Sequence, residues 1–241
     1  MVDSKRLLIY AFPPVRAVLA RHYGWRWPLA FARCAVRWRM LVRQTRWAGR
    51  HDDEAKHVRA LALIPAVYLV LRERIGPPAL DVARELASSM LASASERLAR
   101  DASWSALRDP RARWHAFFER TVARGVGAFN ESECLSVEVE RFHLRVRRCV
   151  FADLACDIGL PELARMTCDL AVPFCRELLP SHNFRRNGSL ESTLAYGHPH
   201  CDYLWEPKDT PAADLAASDV EAGTGTPPTA GALDAGERSE A

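Results

Sequence analysis

No stretch of this 241-residue chain is both long and apolar enough to suggest a membrane span. Its longest apolar run, Ala60 to Leu71, falls short of the roughly 20 residues that cross a bilayer as a helix, and Pro65 interrupts it. The start of the chain has too short an apolar run before Pro13-Pro14, and no small-residue cleavage site follows, so no secretory signal is expected. The common signatures of catalysis and ligation are missing too. There is no Cys-x-x-Cys, no His-Glu-x-x-His, no Gly-x-Ser-x-Gly elbow, no phosphate-cradling glycine loop and no dinucleotide fingerprint. Arg124-Gly125-Val126-Gly127 reads as a loop. Acidic residues are nearly absent from residues 1–50, where Asp3 stands alone against eleven Lys or Arg.

What is present is ordinary globular composition, 49% hydrophobic and 26% charged, enough for one good-sized domain with appendages. The net charge of +3 hides a basic head and an acidic tail, since residues 206–241 carry eight acids against Lys208 and Arg238. We therefore read residues 1–50 as a basic amphipathic helical extension, 51–205 as the folded α+β domain, and 206–241 as an acidic disordered tail. In the extension, Phe31, Cys34, Trp38, Leu41 and Thr45 recur at helical spacing, with Arg39, Arg43, Arg46 and Arg50 on another side. Such a helix fits a surface element whose Arg stems cover the core better than a nucleic-acid site, so no nucleic-acid partner is expected. Trp25, Trp27, Trp38 and Trp47 suit a packed lid or an oligomer contact, which leaves a homo-oligomer open. Seven cysteines, an odd number, together with no secretory signal, point to a cytoplasmic protein with free thiols.

Local signals divide the chain further. Asp52-Asp53-Glu54 reads as a helix start leading through His57 to about Arg74, and Gly76-Pro77-Pro78 ends that helix. Leu80 to Arg100 is a second helix. After a break at Asp109-Pro110, Trp114 to Ala123 is a short third one. Leu135, Val137 and Val139 alternate with polar residues as in a half-buried strand. Helices are expected from Arg145 to Cys156 and from Pro161 to Leu178, with Pro173 kinking or ending the latter. Asn187-Gly188 suggests a hairpin joining 184–186 to 190–194, and a third strand follows from Cys201 to Trp205. The expected fold class is α+β, an N-terminal helical layer packed on a small antiparallel sheet with two further helices.

Cys149 and Cys156, and likewise Cys168 and Cys175, are seven apart, which on a helix places each pair on one face. Such stripes read as core or as chemistry, since free cysteine is among the most buried residue types. A reacting thiol needs a nearby cation or helix N-terminus. Cys149 neighbours Arg147 and Arg148, and Cys201 follows His198 and His200. Asp169 and Asp202 each follow a cysteine and could orient a histidine or activate water. On a strand, however, Asp202 must point away from the face that holds Cys201. His198, His200, Cys201 and Asp202, with Cys149 or Cys168, are chemically able to ligate a metal. Their spacing matches no metal motif, and neither metal nor any other cofactor is expected. His51 and His57 read as parts of a solvated helix start.

The late part of the chain holds five pieces in order: Arg148-Cys149, Gly159-Leu160-Pro161-Glu162-Leu163, Cys168-Asp169, Thr193-Leu194-Ala195-Tyr196-Gly197 and Cys201-Asp202-Tyr203. This set resembles the L-2-amino-thiazoline-4-carboxylic acid hydrolase family, over residues of about 55 to 205 and most strongly from 142. The resemblance implies hydrolysis of a small cyclic amidine by water addition at the ring carbon between nitrogen and sulfur. It implies catalytic roles among Cys149, Cys168, Asp169, Cys201 and Asp202, with Asp169 or Asp202 as base and a cysteine as nucleophile or polar lining. Arg186 would clamp the substrate carboxylate and Thr193 would donate a hydrogen bond, with His198 and His200 beside them as substrate contacts. Cys156 and Cys175 lie outside the pattern and read as core. The His-Pro-His before the last cysteine departs from it. The strand, two helices and late cysteines are also similar to 4-vinyl-reductase-like domains, which implies a non-enzymatic small-ligand sensor as the alternative.

Overall fold

Short-range signals set most of the helices. In the computed structural model, which describes residues 4–100, 130–138, 141–178, 182–186 and 191–208, α1 spans Ser4–Tyr23, α2 Trp27–Gln44 and α3 Asp53–Leu61. Asp52 caps α3, its carboxylate accepting from the Ala55 N–H at 2.9 Å, and the acids at 53 and 54 lie at the helix's positive end. The single helix expected through His57 to Arg74 is in fact two, because the chain turns at Ala62 before α4, Leu63–Ile75. Gly76 stops α4 at φ +69, a conformation that side chains with a Cβ rarely adopt, and α5 follows as Ala79–Arg100.

The fold is α+β. β1 is Glu131–Glu138, β2 Arg141–Arg148, α6 Val150–Asp157, α7 Pro161–Leu178, β3 His182–Arg186 and β4 Cys201–Pro207. The four strands form an antiparallel sheet in the order β1-β2-β4-β3. Two expectations are corrected here. Residues 145–148 belong to β2 and not to a helix, because Phe142, Leu144 and Val146 are buried at every second position and period two overrides the local helical reading. The partner of β3 is β4, with Phe184 opposite Trp205 and Arg186 opposite Tyr203, and not the segment at 190–194. Residues 191–193 form a turn, and a single 3-10 turn follows at Leu194–Tyr196. α7 also continues past Pro173, which is exposed. The expected helix at 114–123, Val139, the Asn187-Gly188 turn and the acidic tail from residue 209 lie outside the described residues.

α7 links the two main cores. Its first half sends Leu163, Met166 and Leu170 into a cluster with Val15 and Leu19 of α1, Cys34 of α2, Leu71 of α4 and Leu86 of α5. Its second half sends Phe174 and Cys175 against the sheet, onto Phe142, Leu144, Phe184, Cys201 and Trp205. Helices α1 and α2 therefore share a core with the rest of the described chain, and α2 is pinned further by Arg33 and Arg37 on Glu73. Among the described residues no helix is long and apolar enough to cross a membrane.

Candidate functional site

The two faces of the sheet carry different chemistry. Alternation puts Phe184 and Arg186 of β3, and Cys201, Tyr203 and Trp205 of β4, on the face covered by α7. Arg186 is only 8% exposed there. Its guanidinium lies 4.6 Å from the Tyr203 ring centroid, and Nη2 donates to the Tyr203 hydroxyl at 3.1 Å. Nε and Nη1 are buried and have no hydrogen-bond partner. A buried, under-bonded guanidinium is rare, since each charged N–H left unmet costs about 1–3 kcal/mol or more.

Thiols surround this cation. Cys168 of α7 adjoins it, and Cys201 is close enough to support its charge. Thr193 is fully buried, and its hydroxyl donates to Cys168 Sγ at 3.9 Å. The Leu194 N–H donates to Cys201 Sγ at 3.1 Å. The loop holding both residues is tied to itself. The Thr193 carbonyl accepts from the N–H groups of Tyr196 at 2.9 Å and His198 at 3.1 Å, and Gly197 takes φ +87 to close the turn. Cys149, the last residue before α6, interacts electrostatically with both Cys168 and Cys201. Burial pushes Cys149 up to about 11 and Cys175 up to about 12, and raises Cys201 as well. Burial also lifts the Tyr203 phenol well above its ordinary value, against the pull of Arg186. For Arg186 itself burial is the largest influence and works against the charge, yet a guanidinium keeps its proton even so, and the side chain remains a cation.

The opposite face is a set of satisfied ion pairs. Asp202 is directly across from Arg145, which grips both carboxylate oxygens, Nε to Oδ1 at 2.8 Å and Nη2 to Oδ2 at 3.1 Å. His143 and His200 flank it, with Nε2 atoms at 3.6 and 3.5 Å. Burial pushes the Asp202 carboxyl up, yet the hydrogen bonds of His143 and Arg145 more than offset this and hold it well below the usual carboxylate range. Glu206, almost wholly buried, pairs with Arg185 and Arg141, both at 3.0 Å.

A family model described as L-2-amino-thiazoline-4-carboxylic acid hydrolase matches residues 55–205, more than half of the chain. The chain belongs to that family. No curated protein and no solved structure matches it. The matched span runs from α3 to the end of the sheet, leaving α1 and α2 outside it.

The family pattern divides into architecture and site. Arg148 ties the end of β2 to α3 and α6 through Glu54 at 2.8 Å and Asp153 at 2.7 Å. Gly159, at φ +68, turns the chain between α6 and α7; Pro161 opens α7, and Glu162 accepts from the Tyr68 hydroxyl at 3.1 Å. Of the residues singled out in the sequence, the fold gathers Cys149, Cys168, Cys201, Arg186 and Thr193 on the inner face. It does not bring Asp202 or His200 to them. Asp169 faces Arg84 of α5 at 3.6 Å, and His198 is exposed on the loop. Cys156 is exposed, which corrects its reading as core: Cys149 precedes the helix in extended conformation, so the seven-residue spacing does not describe one helical face. Cys175 is buried as expected. Tyr203, Arg145 and His143 were not singled out as site residues. Tyr203 closes the last motif, while the other two show themselves only once β2 is seen to be a strand. Among the described residues no three His, Cys, Asp or Glu side chains form a group able to hold a metal ion. A small pocket bounded by Leu61, Pro65, Phe151, Leu154 and Met166 is apolar and offers no charged group.

Proposed function

We propose that this family member hydrolyses a small cyclic amidine bearing a carboxylate, of the 2-amino-thiazoline-4-carboxylate kind, on the inner face of its sheet. The observation that carries this reading is Arg186, buried with Nε and Nη1 unpaired at the centre of the family's cysteine positions. A substrate carboxylate would meet those N–H groups and neutralise the buried charge. The hydroxyl of Tyr203 accepts from Arg186 and keeps its own hydrogen, so it is suited to donate a hydrogen bond to the charge that develops on the departing ring sulfur. Hydrolysis adds water across the ring carbon between nitrogen and sulfur. The C–S bond then breaks, the electron pair leaves on sulfur, and a carbamoyl thiol results. Asp202 is a poor choice of base for this reaction, because its carboxylate is locked to Arg145 on the far face and its basicity is low. A sensor reading is less well supported, since the family whose model matches is described as a hydrolase.

The test is thiol release by the full chain from L-2-amino-thiazoline-4-carboxylate, beside the same ring lacking the carboxylate. Catalytic release from the first substrate and at least about 100-fold less from the second is expected, given about 3 kcal/mol for charge-assisted bonds to one anion. No release from either, or equal release from both, would overturn the reading.

A further inference from the structure

We infer that Cys168 is a covalent nucleophile, and that the ring is opened by double displacement through an isothiourea linked to its sulfur. This rests on the hydrolase reading above and specifies how the reaction runs.

Four cysteines surround the site and three are poorly placed to attack. Cys201 is 3% exposed and its sulfur already accepts the Leu194 N–H at 3.1 Å. Cys175 is packed in the sheet core with Phe184 and Trp205. Cys149 lies before α6, and its sulfur is desolvated by its surroundings. Cys168 is half-buried and so reachable, as Cys149 is, and differs from it on two counts: it adjoins the guanidinium of Arg186, and the Thr193 hydroxyl points at its sulfur at 3.9 Å. A cation and a hydroxyl donor are what stabilise a thiolate over a thiol. The second observation that points to a ligand is Arg186 itself, nine-tenths buried with Nε and Nη1 unmet beside that sulfur. A substrate carboxylate on Arg186 would bring the ring to Cys168.

The step balances without an oxidant or reductant. The Cys168 sulfur forms a bond to the ring carbon between nitrogen and sulfur, and the C=N electron pair moves to nitrogen. The tetrahedral adduct collapses by breaking the ring C–S bond. The pair leaves on the ring sulfur, which takes up the proton that Cys168 lost. All substrate atoms are then attached to the protein as an S-linked isothiourea with a free thiol. Water adds to the same carbon in the second half. Cys168 leaves with its electron pair and one proton, and the remaining oxygen becomes the carbonyl of the carbamoyl product.

Two experiments on the full chain test this. In the first, limiting iodoacetate and iodoacetamide are compared by peptide mapping, with exposed Cys156 as the internal reference. The anionic reagent should favour Cys168 over Cys156 at least about tenfold more than the neutral reagent does, for an electrostatic gain of about 1.4 kcal/mol. Arg186→Gln should remove that preference and Arg186→Lys should retain much of it. Anion-selective labelling of Cys149 or Cys201, or none at Cys168, overturns the assignment. In the second, wild type and Cys168→Ala are mixed with L-2-amino-thiazoline-4-carboxylate and quenched early for intact mass. Wild type should carry the mass of one whole substrate, and the variant should lose adduct and at least about 1,000-fold in kcat while melting as a folded protein. Turnover retained in Cys168→Ala overturns the covalent route and leaves the hydrolase reading standing. Absence of wild-type turnover overturns both.

Discussion

Arg186 and Arg145 occupy neighbouring parts of one sheet and face opposite ways. Arg145 on β2 finds both oxygens of Asp202 directly across the strand gap, and Arg141 and Arg185 share Glu206 in the same manner. Every one of those cations meets an acid. Arg186 meets a phenol, thiols and an aromatic ring, with two of its nitrogens unbonded. The outer pairs join neighbouring strands through matched charges. The inner cation also reaches across to its neighbour, Tyr203, but has only a phenol and thiols to meet it, and a buried charge without a counter-charge destabilises a folded protein. A group retained against stability is where binding is to be sought.

The strongest way to break this contrast is to remove Arg186. Arg186→Met should lower kcat/KM for the carboxylate substrate by about 100-fold or more. At the same time it should raise Tm by about 2–4 °C per kcal/mol of relieved burial cost. Kinetics and melting on one preparation check both, and a fall in Tm would mean that Arg186 is structural. The mirror experiment is Asp202→Asn, which strands Arg145 and should cost about 3 kcal/mol of stability, read from denaturant midpoints. Below its melting range the variant should keep most of its kcat, whereas a kcat loss exceeding about 100-fold with the fold intact would return Asp202 to the catalytic step.

Acid should separate the faces more finely. A carboxyl depressed in the folded state contributes fully above its unfolded value of about 3.9 and loses that contribution as pH falls through the folded one. The drop in Tm between pH 6 and pH 3 should therefore be smaller in Asp202→Asn than in wild type, by scanning calorimetry. Arg186, facing phenol and thiols, predicts no such acid limb. Smallest of all, Cys156→Ser should change stability by less than about 0.5 kcal/mol and leave turnover alone, because that thiol is exposed and outside the cluster.

Helix limits were open to reading because their causes lie within a few residues. Asp52 caps α3 through an N–H three residues on, Gly76 ends α4 at positive φ, and Pro161 opens α7. The same locality explains the failures. Residues 145–148 look helical when joined to residues 149–156, and only pairing with Glu131–Glu138 and Cys201–Pro207 makes them a strand. The Asn187-Gly188 signal suggested a neighbour close in sequence for β3, yet its partner in the sheet is β4, where the Phe184 and Trp205 rings pack with centroids 4.9 Å apart, a contact that local sequence does not announce.

The sequence by itself determined the family and the α+β class, and it named the candidates for a site. It also determined, through strict alternation along Cys201–Pro207, that Cys201 and Asp202 could not share a face. Only the tertiary structure decided which members meet. Cys168 reaches Arg186 from a helix and Tyr203 from the next strand, with Thr193 meeting Cys168 from a loop, while Asp202 was drawn to Arg145 on the other side. Motif spacing records distance along the chain, whereas the burial of a charge depends on the side chains that packing brings around it.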